Sequence, residues 1–124
     1  MNILCVALGG AVGASLRYSV MHLFVALRLT NFPYATLVVN VLGSFLMGVL
    51  AFWLIDRFAY NEAIRLFLLV GILGAFTTFS AFSLDSLHLL LSHRYVAAFS
   101  YMFLTVSLCL LATVLGMLIV KLGE

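Results

Sequence analysis

The chain has 124 residues, of which 66% are hydrophobic and only 8% are charged, and its formal net charge is +2. Soluble domains carry about 25% charged residues, so this chain cannot cover itself with an ordinary solvated surface. The small excess of positive charge forms no basic patch, which argues against nucleic acid as a partner. Composition therefore predicts an integral membrane protein whose surroundings are the lipid bilayer.

Four apolar segments are each long enough to cross a bilayer, since a spanning helix needs roughly 20 apolar residues. The predicted spans are residues 3–27, 34–55, 66–91 and 96–120. The fold class is thus all-α, with four transmembrane helices in a single membrane domain over residues 1–124. No Lys or Arg precedes the first apolar run, which favours a retained first span over a secretory signal.

The cations outside the spans are divided almost evenly between the two sides of the membrane. Arg57, Arg65 and Lys121 fall on one side, and Arg28 and Arg94 fall on the other. Because an asymmetry of Lys and Arg normally sets orientation, we expect this chain to insert both ways up. An antiparallel homodimer is then a hypothesis that the sequence permits.

Small residues recur four positions apart in the first two spans. Gly9 and Gly13 lie in the first span, and Ser44 and Gly48 lie in the second. Such spacings let helix backbones approach each other closely inside a membrane. The sequence therefore predicts tight helix packing.

The third segment contains an unusual run of glycines, hydroxyls and phenylalanines. Residues 71–83 read GILGAFTTFSAFS in the middle of an otherwise apolar stretch. Unsatisfied backbone groups are costly in hydrocarbon, so broken helices persist there only where they line a cavity or bind something. The sequence therefore predicts that the third helix is broken mid-membrane and that a site lies at the break.

Two polar residues in the first two spans each have two open interpretations. Arg17, near the middle of the first span, is either a snorkelling or ion-paired structural residue or an electropositive element beside an anion path. Asn40 shares one helical face with Thr36 and Ser44, because they are spaced four residues apart. Its amide is either an interhelical hydrogen-bonding group or a donor that replaces water around an anion.

Polar residues also recur every four positions in the fourth span, at Tyr101, Thr105, Cys109 and Thr113. A stripe of this kind lies on one helical face. If it faces Asn40, the two faces line a narrow wet track.

Phenylalanines recur every three positions in the third span, at Phe76, Phe79 and Phe82. They are either packed or lipid-facing rings, or they present ring edges, which carry partial positive charge and attract a small anion weakly. Where the helix breaks, the carbonyls of Gly74 and Thr77 are candidates to hold a cation, and the half-helix N-terminus favours an anion.

These residues resemble the CrcB/Fluc family of small fluoride channels over nearly the whole chain. The resemblance rests on residues 9–18, 36–45 and 74–83. The last of these contains TTFSAFS, which is similar to the TTFSTFS signature of the family, with Ala81 where Thr is usual. Asp85 stands where the family often has Glu.

The resemblance implies a fluoride-selective channel, not an enzyme, which passively exports cytoplasmic fluoride across the bacterial cytoplasmic (inner) membrane as a multi-pass protein. It implies an antiparallel, dual-topology homodimer with two pores, each lined by both subunits. The resemblance also implies a structural sodium ion at the dimer centre, bound by the backbone carbonyls of Gly74 and Thr77. Arg17 is then expected to add positive potential or to contribute to helix packing. The implied fluoride pathway consists of Asn40, Phe79, Ser80, Phe82, Tyr101, Thr105 and Thr113.

Two other classes of protein also fit a short chain with four spans. Small proton-coupled multidrug transporters depend on a carboxylate in the first span, where this chain has Arg17, so Asp85 would have to substitute for it. A non-conducting assembly subunit would explain the glycine-rich packing and leave the group of Phe79, Ser80 and Phe82 unexplained.

Overall fold

The computed structural model describes residues 2–57 and 61–123, and all of the regular structure among them is helical. Four stretches are long and apolar enough to cross a membrane, which confirms the predicted fold class. In chain order the helices are α1 (Asn2–Ala26), α2 (Tyr34–Arg57), α3 (Glu62–Arg65), a π-helical segment (Leu66–Leu73), α4 (Gly74–Phe76), α5 (Phe79–Leu91) and α6 (Tyr95–Leu122).

The third span differs from a plain helix in two ways. Its first half contains the π-helical segment, which the apolar run did not predict. The predicted break is confirmed and lies at two residues: Thr77 has an extended ψ of 157°, and Thr78 is extended with φ −154° and ψ 113°. The chain resumes as α5 at Phe79, so the span consists of two half-helices joined in the middle of the membrane.

Helix packing places this broken span against α1, while α2 packs against α6. Glycines make the first of these contacts possible. A Cβ atom on Gly9 would overlap the carbonyl oxygen of Phe67, and one on Gly13 would overlap the carbonyl oxygen of Ile72. The backbones therefore touch, as the spacing of Gly9 and Gly13 predicts.

The two turns on one side of the bundle are joined to each other. Arg28 and His93 both have positive φ, at 57° and 56°, and they end α1 and α5 in the left-handed conformation that is common after a helix. The guanidinium of Arg94 donates a hydrogen bond to the carbonyl of Asn31. This bond holds the α5–α6 turn beside the α1–α2 turn.

We expect the substitution Gly13→Ala to destabilise the protein, because its methyl group would meet the Ile72 carbonyl and push α1 away from the π-helical segment. Overpacking of this kind costs about 1–3 kcal/mol. Gly10→Ala is the matched control, since a Cβ there meets nothing within 4 Å. The fraction of protein that stays monodisperse after heating in detergent measures the effect. Equal thermal midpoints for the two variants would contradict the packing described here.

Candidate functional site

The break in the third span is held by the side-chain amide of Asn40 on α2. Its Oδ1 accepts a hydrogen bond of 2.8 Å from the Thr78 amide, and its Nδ2 donates one of 3.0 Å to the Thr78 carbonyl. Asn40 is only 8% exposed. At the break the Thr78 amide has no helical partner, whereas the Thr78 carbonyl, at the N-cap position, also accepts the first hydrogen bond of α5. Asn40 therefore satisfies the amide that the break leaves without a partner and adds a second hydrogen bond to the carbonyl.

Thr78 in turn begins α5. Its Oγ1 accepts a 3.1 Å hydrogen bond from the Ala81 amide, as an N-cap residue does. The Ser80 hydroxyl lies 3.2 Å from the same Oγ1 atom. The N-terminus of a helix carries a partial positive charge, so the start of α5 brings positive potential to the middle of the bilayer.

A groove opens at this break, and we call it the central groove. Its volume is about 240 Å³. It brings together residues that the sequence predicted from α2, from the third span and from α6. Its lining consists of Asn40, Ser44, Thr77, Thr78, Phe79, Phe82, Thr105, Val106 and Cys109.

Two hydrogen-bond donors on residues that line the central groove have no acceptor among the described residues. An asparagine amide has two N–H groups, and only one of those on Asn40 is used by the Thr78 carbonyl. Thr105 is 5% exposed, and its Oγ1 is buried without a hydrogen-bond partner. Other hydroxyls, such as that of Thr77 in the same lining and that of Ser86 on α5, donate to the carbonyl four residues earlier. The Thr105 hydroxyl makes no such bond, and a buried polar group without a partner is rare in proteins.

Aromatic rings continue from the central groove into the bundle. The ring centroids of Phe79 and Phe82 are 5.3 Å apart, and those of Phe82 and Tyr101 are 5.4 Å apart. Phe79 is 76% exposed, whereas Phe82 and Tyr101 are buried. The groove is therefore open to the outside of the single chain on the side of Phe79 and closed by rings on its inner side.

Tyr101 belongs to a hydrogen-bonded group behind Phe82, outside the lining of the central groove. Its hydroxyl donates to Asp85 Oδ2 at 3.3 Å, and the Thr36 hydroxyl donates to the same oxygen at 2.7 Å. Thr36 and Asp85 also line a second cavity of about 480 Å³, which lies between the α1–α2 turn and the end of α5. The Asp85 carboxylate thus lies between the row of rings formed by Phe79, Phe82 and Tyr101, which we call the ring row, and the 480 Å³ cavity.

Four further residues from the predicted site lie outside the lining of the central groove, and Gly74 is one of them. The Ser80 side chain is exposed beside Thr78. The Thr113 hydroxyl is engaged with the carbonyls of Ser44 and Cys109, at 3.2 and 3.0 Å. Arg17 is half-buried on α1.

Sequence reasoning did not include Thr78 among the site residues. Its signal was its position: a threonine directly before the half-helix that starts at Phe79 is a preferred helix N-cap. Ser44 and Cys109 also line the groove, and their spacing from Asn40 and Thr105 had placed them on the two facing stripes.

Carbonyl oxygens are left without helical partners at the break. In a continuous helix the amides of Thr78 and Ala81 would pair with the carbonyls of Gly74 and Thr77. Here they donate to Asn40 Oδ1 and to Thr78 Oγ1 instead. Residues 2–57 and 61–123 contain no cluster of three His, Cys, Asp or Glu side chains that could hold a metal ion. Within the described chain, backbone oxygens at the break are therefore the candidate ligands for a cation.

Comparison with known proteins gives a consistent result over the full chain. A family model described as CrcB-like protein, Camphor Resistance (CrcB), matches residues 4–117. A protein of Magnetococcus marinus named fluoride-specific ion channel FluC is 46% identical over 122 residues, which cover 98% of this chain and 99% of that protein. A protein of Aeromonas salmonicida with the same name is 48% identical over 118 residues, which cover 94% of each chain. A third protein of this name, from Ruminiclostridium cellulolyticum, is 41% identical, and the match covers 98% of this chain and 93% of that protein.

We expect Asn40→Ala to destabilise the fold, because it leaves the Thr78 amide unpaired in a buried position. Leaving a buried polar group unsatisfied costs about 1–3 kcal/mol. Thr105→Val is the matched control: it removes a buried hydroxyl that bonds nothing, so its thermal midpoint should equal or exceed that of the unaltered protein. Thermal unfolding in detergent compares the two variants. A stable Asn40→Ala protein would show that the break does not depend on this amide.

Proposed function

This chain belongs to the CrcB-like family, and we propose that it is a fluoride-selective ion channel through which fluoride leaves the cytoplasm passively. The observation that carries the proposal is the central groove. There the unpaired Thr105 hydroxyl, the amide of Asn40 and the rings of Phe79 and Phe82 belong to one lining beside a helix N-terminus. The names of the relatives, which describe fluoride-specific ion channels, support the same function.

The chemistry of the groove suits fluoride for a physical reason. Fluoride is small and strongly hydrated, so a selective path must replace its water with several hydrogen-bond donors in a narrow bore. Conduction also requires that the ion bind weakly enough to leave. Neutral donors and ring edges meet both conditions, whereas a wide cationic pore would bind chloride as well.

The proposed pathway extends beyond the lining of the groove. Asn40, Phe79, Phe82 and Thr105 line it directly. The family resemblance adds Ser80, Tyr101 and Thr113. Ser80 lies at the groove rim beside Thr78, Tyr101 follows Phe82 in the ring row, and Thr113 lies one turn beyond Cys109 on α6. Arg17 is proposed to add positive potential or to pack helices.

We further propose that the functional unit is an antiparallel homodimer with two pores in the bacterial cytoplasmic membrane. The groove of one chain is open on the side of Phe79, which is 76% exposed, so a second subunit is needed to enclose the ion. The nearly even division of cations between the two sides allows both orientations.

A structural sodium ion is proposed at the centre of this dimer. The carbonyls of Gly74 and Thr77 fit it, because their usual helical amides donate elsewhere at the break. Unwound backbone carbonyls in membrane proteins coordinate sodium in this way. Such an ion would neutralise carbonyl dipoles and hold the two broken helices together, while the side chains remain available for fluoride.

The transporter alternative is not favoured. The relatives carry the name of an ion channel. The first span holds Arg17 in place of a carboxylate. Asp85, the remaining candidate for proton coupling, accepts hydrogen bonds from Thr36 and Tyr101.

Liposomes that contain the purified protein should lose fluoride without losing chloride, and Phe82→Leu should slow that fluoride efflux. The substitution removes the attraction of the aromatic ring for the ion in the groove. We therefore expect the rate of fluoride efflux to decrease at least about tenfold, which corresponds to an increase of about 1.4 kcal/mol in the barrier. A fluoride electrode and a chloride electrode record both ions. Phe103→Leu is the control, since Phe103 is 72% exposed on α6 and lies outside the groove lining. Unchanged flux in Phe82→Leu would refute the assigned role of this ring.

The dimer and its ion are tested together by labelling and ion exchange. With Cys5 and Cys109 changed to Ser, a single cysteine introduced as Thr30→Cys, which is exposed in the α1–α2 turn and leaves the balance of cations unchanged, should react with an impermeant maleimide from both sides of vesicles in about equal amounts. Replacing Na⁺ by N-methyl-D-glucamine should lower the thermal midpoint of the purified dimer. Labelling from one side only would contradict dual topology. An unchanged midpoint would contradict the sodium site.

A further inference from the structure

The cavity that Thr36 and Asp85 line, which we call the outer cavity, has a volume of about 480 Å³. Its walls are the end of α1, the α1–α2 turn, the start of α2 and the end of α5. Cavities that bind small molecules have volumes of about 300–1,000 Å³ and apolar or aromatic walls with few polar groups. The outer cavity is of this kind, because Tyr18, Phe24 and Phe32 line it together with the Asp85 carboxylate.

One oxygen of the Asp85 carboxylate is fixed, and the other is available to a guest. The hydroxyls of Thr36 and Tyr101 both donate to Oδ2, at 2.7 and 3.3 Å. Oδ1 accepts no hydrogen bond from the described residues. Within that part of the chain the Thr105 hydroxyl is the only fully buried side-chain group without a partner, so Oδ1 is not fully buried. Asp85 therefore presents an oriented, open oxygen to the cavity that it lines.

The Asp85 carboxylate has no cationic partner among the residues that line the outer cavity. Arg94 is the one guanidinium in the described lining, which contains no ammonium group. Its guanidinium donates to the carbonyl of Asn31 and so joins the two turns at the mouth of the cavity. The described residues contain no group of three His, Cys, Asp or Glu side chains that could hold a metal ion. An organic cation therefore matches this carboxylate better than a metal ion does.

The depth of Asp85 favours a water-soluble guest over the headgroup of a lipid. Asp85 follows Thr78, at the break, by seven residues, which is about 10 Å along α5. The hydrocarbon core extends about 15 Å from the bilayer centre. A headgroup at the membrane surface thus lies above the carboxylate, whereas a small cation that enters between the turns can reach it.

We propose that the outer cavity binds small, water-soluble organic ammonium ions that carry an aromatic ring. A primary ammonium group has three N–H donors. One bonds Asp85 Oδ1 with the help of charge, and the others have acceptors in water and in the imidazole of His88, three residues further along the same face of α5. The ring of the guest packs among Tyr18, Phe24 and Phe32, whose faces also attract a cation. This inference goes beyond the proposed channel function and does not depend on it.

Equilibrium dialysis of the purified protein in detergent against radiolabelled benzylammonium at neutral pH tests the proposal. The unaltered protein should bind the ion saturably, and neutral benzyl alcohol, which has nearly the same size, should not displace it. Asp85→Asn should raise the dissociation constant at least about tenfold, which corresponds to about 1.4 kcal/mol. The amide keeps an acceptor for the Thr36 and Tyr101 hydroxyls and removes the charge. Glu62→Gln is the matched control and should bind normally, since Glu62 is exposed on α3 and outside this lining.

Three outcomes would overturn the proposal. The unaltered protein could show no saturable binding of benzylammonium. Benzyl alcohol could displace the ion equally well, which would mean that the cavity recognises the ring and not the charge. An Asp85→Asn protein with an unchanged thermal midpoint could bind benzylammonium as tightly as before. The first two comparisons use the unaltered protein, so they decide even where Asp85→Asn does not fold. Fluoride efflux enters none of them, and the result is therefore independent of the test of the channel function.

Discussion

Two hydrogen bonds between the Asn40 side chain and the backbone of Thr78 allow the third span to be broken inside the membrane. Without them the Thr78 amide would be buried without a partner, since the break removes its helical acceptor. Once that amide is paired, a new helix can start at Phe79 with its positive end in the bilayer. The carbonyls of Gly74 and Thr77 also lose their helical partners. The groove, its anion-attracting end and the candidate cation ligands all follow from this single contact.

Close packing of α2 on α6 gives the groove its second wall. A Cβ on Gly48 would overlap the carbonyl of Thr113, and a Cβ on Gly116 would overlap that of Phe45. The two helices thus touch through their backbones one or two turns beyond the groove. That approach places Asn40 opposite Thr105, so that donors from two spans face the same small volume.

Much of this arrangement can be predicted from the sequence, because it depends on residue type and spacing. Four apolar runs give four spans, and glycines with hydroxyls mark the break. Spacing of four residues places a side chain on a face but does not say what that face meets. Tyr101 therefore belongs to the predicted stripe and yet bonds Asp85 behind Phe82, and Thr113 bonds backbone carbonyls. The π-helical segment was not predictable either, because its apolar residues suit an α-helix equally well. The dimer and its sodium ion stay predictions.

The lining of the central groove contains amide, hydroxyl, thiol and aromatic groups, and no carboxylate, imidazole or ammonium group. Peptide dipoles and neutral donors keep their charge distribution when protons become more or less abundant. The polarity of the lining itself therefore does not depend on the protonation of a side chain between acidic and neutral conditions, and Asp85, behind Phe82, is the nearby carboxylate, which accepts a hydrogen bond from Tyr101.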